Sequence, residues 1–175
     1  LTTAKDMHSP WAILRNDTSP FAAGACRVPQ ETLTMKILVA VDGSPFTKRM
    51  LGYLAAHDEW LGGAHEYTVL HSVPAVPARA AAVIDKATLK AYYEDEGEKV
   101  LKPIRTFFGR KKDLKVTYVV KSGHAAEIIV AAAEKGEFDL IIMGSHGHGT
   151  LGNLVMGSVA TKVLAHSKVP LLLVR

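Results

Sequence analysis

The chain has 175 residues, 48% apolar and 22% charged, with a formal net charge of +4. That composition suits one soluble globular domain with a full core, and no apolar run approaches the roughly 20 residues that span a bilayer. A single cysteine, Cys26, excludes an internal disulfide framework and any multi-cysteine metal site, and makes a reducing cytoplasm the expected compartment.

Residues 1–34 show neither a sustained helical nor a sustained strand period, and they carry Pro10, Pro20 and Pro29. Their bases (Lys5, Arg15, Arg27) and acids (Asp6, Asp17, Glu31) cancel, so the positive excess belongs to the rest of the chain. Without a continuous apolar stretch and a small-residue cleavage site, the segment does not read as a signal peptide. It reads either as an appended segment without function or as an extension packed through Trp11, Ile13 and Phe21. The functional domain is expected over 35–175.

From Met35 the pattern is regular. KILVAVD (36–42) predicts a strand ending in an acid. Ser44 and Pro45 then read as an N-cap and a first helical position, with Phe46, Met50, Leu51 and Leu54 on one helical face to about His57. Gly62 and Gly63 break the chain. YTVLHSV (67–73) predicts a second strand, stopped by Pro74. VPAVPARAAAV reads as a loop, followed by a long helix to about Phe108 that Gly109 ends. Its acids (Glu94, Asp95, Glu96) are read as early and its bases (Lys99, Lys102, Arg105) as late, the order the helix dipole favours. The basic run over 99–115 reads as a solvated helix end. A nucleic-acid patch is the weaker reading, because no aromatic-and-basic motif accompanies it.

LKVTYVVK (114–121) predicts a third strand, and Gly123 leads into a helix with Gly136 as its C-terminal cap. FDLIIMG (138–144) predicts a fourth strand. A helix from about Leu151 is expected to carry Leu154, Val155, Val159, Val163 and Leu164, and Pro170 opens a terminal strand, PLLLVR. Strands alternating with helices, two of them apolar on both faces, predict an open α/β fold: a five-stranded parallel sheet with helices on both sides. Ligands in such sheets sit beyond the carboxyl ends of the strands, where the strand order reverses. Asp42, the Ser72 region and Gly144 meet there if strands one and four are the neighbours at the reversal.

The segment GSHGHGTLGNLVMGSVA (144–160) admits three parses. Gly147, Gly149 and Gly152 spell G-x-G-x-x-G, but they follow the fourth strand, and no acid lies downstream of Asp139 to take a ribose hydroxyl. Gly152 and Gly157 begin a P-loop, but Ser158 and Val159 follow where Lys is required. The third parse, G-x2-G-x9-G-S over Gly144, Gly147, Gly157 and Ser158, needs only main-chain amides and a hydroxyl to hold an anion. The same glycines also suit a tight turn and close helix packing, and both readings stay open on spacing alone. His146 and His148 form H-x-H. Lacking a third Cys or carboxylate nearby they make a poor zinc site, and they read as polar contacts beside a phosphate or as exposed groups. No histidine is placed to complete a triad with Asp42 and Ser44, so Ser44 reads as a cap.

KILVAVDGSP, VLHSV, DLIIMGSHG and the complete G-x2-G-x9-G-S together resemble a universal stress protein domain of the ATP-binding type, over 35–175. The resemblance implies a Rossmann-like sheet of the adenine nucleotide alpha hydrolase kind, with strand order 3-2-1-4-5. It implies ATP with Mg2+ as bound ligand: Asp42 at the ribose, the main chain at Ser72 against adenine, and Gly144, Gly147, Gly157 and Ser158 at the phosphates. Ala40, Met143 and Val159 supply further contacts. Position 72 is commonly a branched apolar residue in that family. A backbone contact survives the change to Ser72, while packing on the ring weakens.

The implied role is a cytoplasmic, nucleotide-dependent sensor or regulator in stress response, with an unidentified regulatory protein partner. A slow ATP hydrolase or phosphotransferase is the alternative from the enzyme class. Against it, no general base or cationic finger accompanies the glycines, and Lys162 lies a turn beyond Ser158. An interaction module with an empty pocket is the third reading. The apolar edge Leu171–Val174, without Pro or Lys, predicts a homodimer by strand pairing, against the alternative that residues 1–34 cover it.

Overall fold

The computed structural model describes residues 34–57, 62–149 and 156–175, all within the compact unit Thr32–Arg175. The elements in chain order are β1 (Lys36–Val41), α1 (Pro45–Ala56), β2 (Glu66–Val73), α2 (Ala78–Ala81), α3 (Lys86–Phe108), β3 (Lys115–Ser122), α4 (Ala125–Lys135), β4 (Leu140–Gly144), α5 (Ser158–His166) and β5 (Leu171–Val174). The five strands form one parallel sheet in the order β3-β2-β1-β4-β5, as expected.

The strand period of two sorts the core into two layers. On β1, Ile37, Val39 and Val41 turn to the side where Met50 and Leu54 of α1 and Leu101, Ile104 and Phe108 of α3 pack. Leu38 and Ala40 turn to the opposite side, against Ala126, Ile129 and Ala133 of α4 and Ala160 and Val163 of α5. β1 is therefore apolar on both faces because helices cover both. Among the described residues no helix is long and apolar enough to cross a membrane.

Several sequence expectations shift. The stretch expected as a loop after β2 contains the short helix α2, and α3 begins at Lys86 with Asp85 as its cap. The Asp85 carboxylate accepts from the N–H groups of Ala87 and Thr88, each at 2.9 Å. Glu94, Asp95 and Glu96 therefore sit in mid-helix and cannot complement its dipole. They form exposed pairs instead, Glu94 with Lys90 and Asp95 and Glu96 with Lys99. Of the expected late bases, Arg105 alone lies in the last turn, where its guanidinium also stacks on the Tyr118 ring at 4.1 Å.

At the end of α4 Gly136 is the C-cap, but the left-handed residue is Glu137 (φ 51°). Helix α5 starts at Ser158, not near Leu151, because Gly157 is extended (φ −70°, ψ 155°). Leu154 and Val155 lie outside the described residues, and Leu164 is 56% exposed.

Candidate functional site

β1 lies between β2 and β4, and the chain leaves β1 for β2 on one side and returns through β4 on the other. The crevice at their carboxyl ends is the reversal point where open α/β sheets take ligands. A cavity of about 200 Å³ opens there. All nine residues singled out from the sequence line it. Ala40 and Met143 are paired neighbours on β1 and β4 and turn toward the α4–α5 layer. Asp42 and Ser72 stand at the ends of β1 and β2. Gly144 and Gly147 follow β4, while Gly157, Ser158 and Val159 open α5.

The Asp42 carboxylate is oriented by local hydrogen bonds. Its Oδ1 accepts from Ser44 N–H (2.9 Å) and from the Thr47 hydroxyl (2.7 Å). The same hydroxyl accepts from Asp42 N–H at 3.2 Å, so Thr47 grips residue 42 at both ends. Ser44 caps α1 as expected, its hydroxyl accepting from Thr47 N–H at 3.3 Å. With Oδ1 engaged, Oδ2 faces Gly147, where a Cβ would come within 2.6 Å of it.

The glycine segment is pinned at three points. Ser145 N–H donates to the Val174 carbonyl, Gly157 N–H donates to the Ser145 carbonyl, and both bonds are 2.8 Å. His148 Nε2 donates to the Asp42 main-chain carbonyl, also at 2.8 Å. His146 Nδ1 lies 3.0 Å from Ser145 Oγ, and its ring packs on Phe46 with centroids 4.9 Å apart.

Gly157 supplies no side-chain cap to α5. The first N–H groups of a helix lack intrahelical partners, and here they belong to residues that line the cavity. At the other end, Val73 accepts from Gly123 N–H on the β3 side. Carbonyls of successive strand residues point to opposite edges, so the Ser72 carbonyl turns toward β1. β1 has ended by then, since the last β1–β2 pair is Val41 with His71. The Ser72 hydroxyl is used elsewhere, donating to the Gly123 carbonyl at 3.1 Å. His71 is buried, its Nδ1 donating to Val41 O at 2.8 Å.

Sequence reasoning missed Thr47, Leu70, Ala125 and Ile129 as lining residues. Only Thr47 left a usable signal, a hydroxyl in the first turn of a helix that starts directly after the acid. Asp42 is the one charged acidic or basic side chain among the described lining residues, and among described residues no three His, Cys, Asp or Glu side chains cluster to hold a metal.

The Universal stress protein family model matches residues 34–175. A universal stress protein of Thermus aquaticus is 33% identical over 139 residues, covering 79% of this chain and 97% of that one. The solved structure of hypothetical protein MJ0577 from Methanocaldococcus jannaschii superposes with a TM-score of 0.63 at 28% identity, over 80% of this chain and 94% of that one. An Arabidopsis thaliana universal stress family protein, solved with AMP bound, shares the fold at 14% identity, with a TM-score of 0.57 over 80% of this chain and 90% of its own. With the sheet order, the crevice and these matches in agreement, this chain belongs to the universal stress protein family.

Proposed function

We propose that residues 35–175 bind an adenine nucleotide in this cavity and act as a nucleotide-dependent sensor or regulator in stress response, not as a fast enzyme. One observation carries the reading. A carboxylate with one oxygen committed and the other turned inward, a main-chain carbonyl past the end of its ladder, and a helix N-terminus without a side-chain cap all open on one cavity. Those are complements to a ribose hydroxyl, an exocyclic amine and a phosphate. Asp42 Oδ2 would accept from the ribose. The Ser72 carbonyl would accept from the 6-amino group, with Leu70 and Ile129 beside it as apolar surface for the ring. Gly144, Gly147, Gly157 and Ser158 would hold the phosphates through main-chain N–H groups and the Ser158 hydroxyl.

ATP with Mg2+ is the fuller form of the proposal. Asp42 is the only carboxylate among the described lining residues, so the metal would be held chiefly by phosphates and water, its common habit. The AMP found in the Arabidopsis relative fits an adenine nucleotide, but at 14% identity the weight rests on the residues of this chain.

The direct test is to denature the purified protein, identify released nucleotide by mass spectrometry, and titrate the nucleotide-free protein with ATP, ADP and AMP. Absence of any adenine nucleotide in the first experiment, together with no binding at millimolar ligand in the second, would leave the interaction-module reading in its place.

A further inference from the structure

The H-x-H pair has no role in the reading above, yet both rings line the cavity. The charge there is unusual for a polyphosphate site. No Lys or Arg is among the described lining residues. A helix N-terminus offers only about half a positive charge. A nucleoside triphosphate brings several negative charges, and Asp42 adds another. The imidazole is the side chain whose charge changes between about pH 5 and 8.

We propose that His146 and His148 supply the positive charge this cavity otherwise lacks, so that phosphorylated ligands bind with uptake of protons; this rests on the nucleotide reading. At the end of β1, Asp42 turns Oδ2 toward Gly147 and receives His148 Nε2 on its main-chain carbonyl. That carbonyl is an acceptor for the neutral and the charged ring alike, so the loop need not open on protonation. From α1, Arg49 lies 5.2 Å from the centroid of the Phe46 ring, on which His146 packs. From β2, His71 is committed to the Val41 carbonyl. α4 reaches the cavity through Ala125 and Ile129, and α5 through Ser158, Val159 and Ala160, none of them ionisable. The device makes the preference for polyphosphate over nucleoside a function of acidity, a sensible property for a stress-responsive site.

The test compares ATP with adenosine, the reference ligand without phosphate, in magnesium-free buffer at about pH 8 and about pH 6. The double variant His146→Asn, His148→Gln places an amide nitrogen near each imidazole nitrogen now in contact, at Ser145 Oγ and the Asp42 carbonyl, without a titrating ring. In the wild type the ATP-to-adenosine affinity ratio is expected to rise about tenfold or more at the lower pH. In the variant it should follow only the titration of the ligand's own phosphates, which is common to both proteins. An equal rise in both proteins overturns the proposal. If the wild type binds neither ligand at either pH, the nucleotide reading itself falls. Adenosine binding gauges whether the pocket survives, and if the double variant loses it, the single substitutions carry the same comparison.

Discussion

Replacing Asp42 by Asn isolates the proposed ribose contact better than any truncation. An amide oxygen in the place of Oδ1 still accepts from Ser44 N–H and the Thr47 hydroxyl, so the turn into α1 keeps its bonds. The change falls on Oδ2, which becomes an NH2 donor and can no longer accept from a hydroxyl. A hydrogen bond to a charged group contributes about 1.5–3 kcal/mol, which converts to about a ten- to hundredfold loss of affinity. A smaller opposing effect accompanies it. Removing the carboxylate relieves repulsion of the phosphates, worth about 0.5 kcal/mol per phosphate charge at about 8 Å in water-like surroundings. The loss should therefore be larger for adenosine than for ATP. Calorimetry with adenosine and its 2′- and 3′-deoxy analogues closes a cycle. Wild type should discriminate against one deoxy analogue, and the Asn variant should not. Equal discrimination by both proteins would refute the assignment of Asp42 to the ribose, whatever the loss in affinity.

Four further outcomes are expected. Among the described residues β5 is an edge strand, paired with β4 alone, with the Pro170 and Val174 carbonyls facing β4, so Leu173 turns its N–H to the other side. If the proposed dimer pairs there, light scattering should find a dimer of the full chain at micromolar concentration and a monomer for Leu173→Pro, and a wild-type monomer would end the idea. Phosphate release from ATP should stay below about one turnover per minute, and a faster rate favours the hydrolase alternative. A Cβ on Gly97 would lie 2.6 Å from Val120 Cγ2, so Gly97→Ala should destabilise by about 1–3 kcal/mol in urea unfolding, and an unchanged midpoint would show that β3 yields freely. Burial pushes the Tyr67 phenol up to about 12. The unfolded phenol ionises near pH 10 while the folded one holds its proton, so stability should fall as pH rises from about 10 to 12, and Tyr67→Phe should show a shallower fall.

Strand identity was legible because each strand is an apolar run bounded by a breaker, whereas the strand order came from the family resemblance, since apolar patterning leaves open which strands are neighbours. Asp42, Ser72 and Gly144 were legible as site residues for a topological reason, since each ends a strand at the same edge. Other features hid behind patterns that run past their true limits. The apolar spacing of LGNLVMGSVATKVL continues through Gly157, so it cannot reveal that Gly157 is extended and that α5 begins one residue later. The acids of α3 looked early only while its start was unknown, and Asp85 moved that start upstream of them. Thr47 reads as an ordinary buried helix residue, because its return to Asp42 is a matter of turn geometry.

The spacing of the glycine motif is silent on why each glycine is there, and the answers differ. A Cβ at Gly144 would meet Phe46 Cβ at 2.9 Å, so that glycine lets α1 pack on the end of β4. At Gly157 the obstacles are His146 Cα at 3.1 Å and the Ser145 carbonyl at 3.2 Å, both main chain that cannot swing aside. Of the three, only Gly147 makes room for a group of the proposed ligand site, Asp42 Oδ2. Packing therefore accounts for Gly144 and Gly157 without any ligand, and a bulky residue at 157 would disturb the loop whether or not phosphate binds beside it. Loss of nucleotide binding in Gly157→Val would thus be ambiguous. What favours a ligand is instead what the tight packing presents to the cavity: a carboxylate oxygen beside Gly147, a carbonyl beyond its ladder and the amides that open α5.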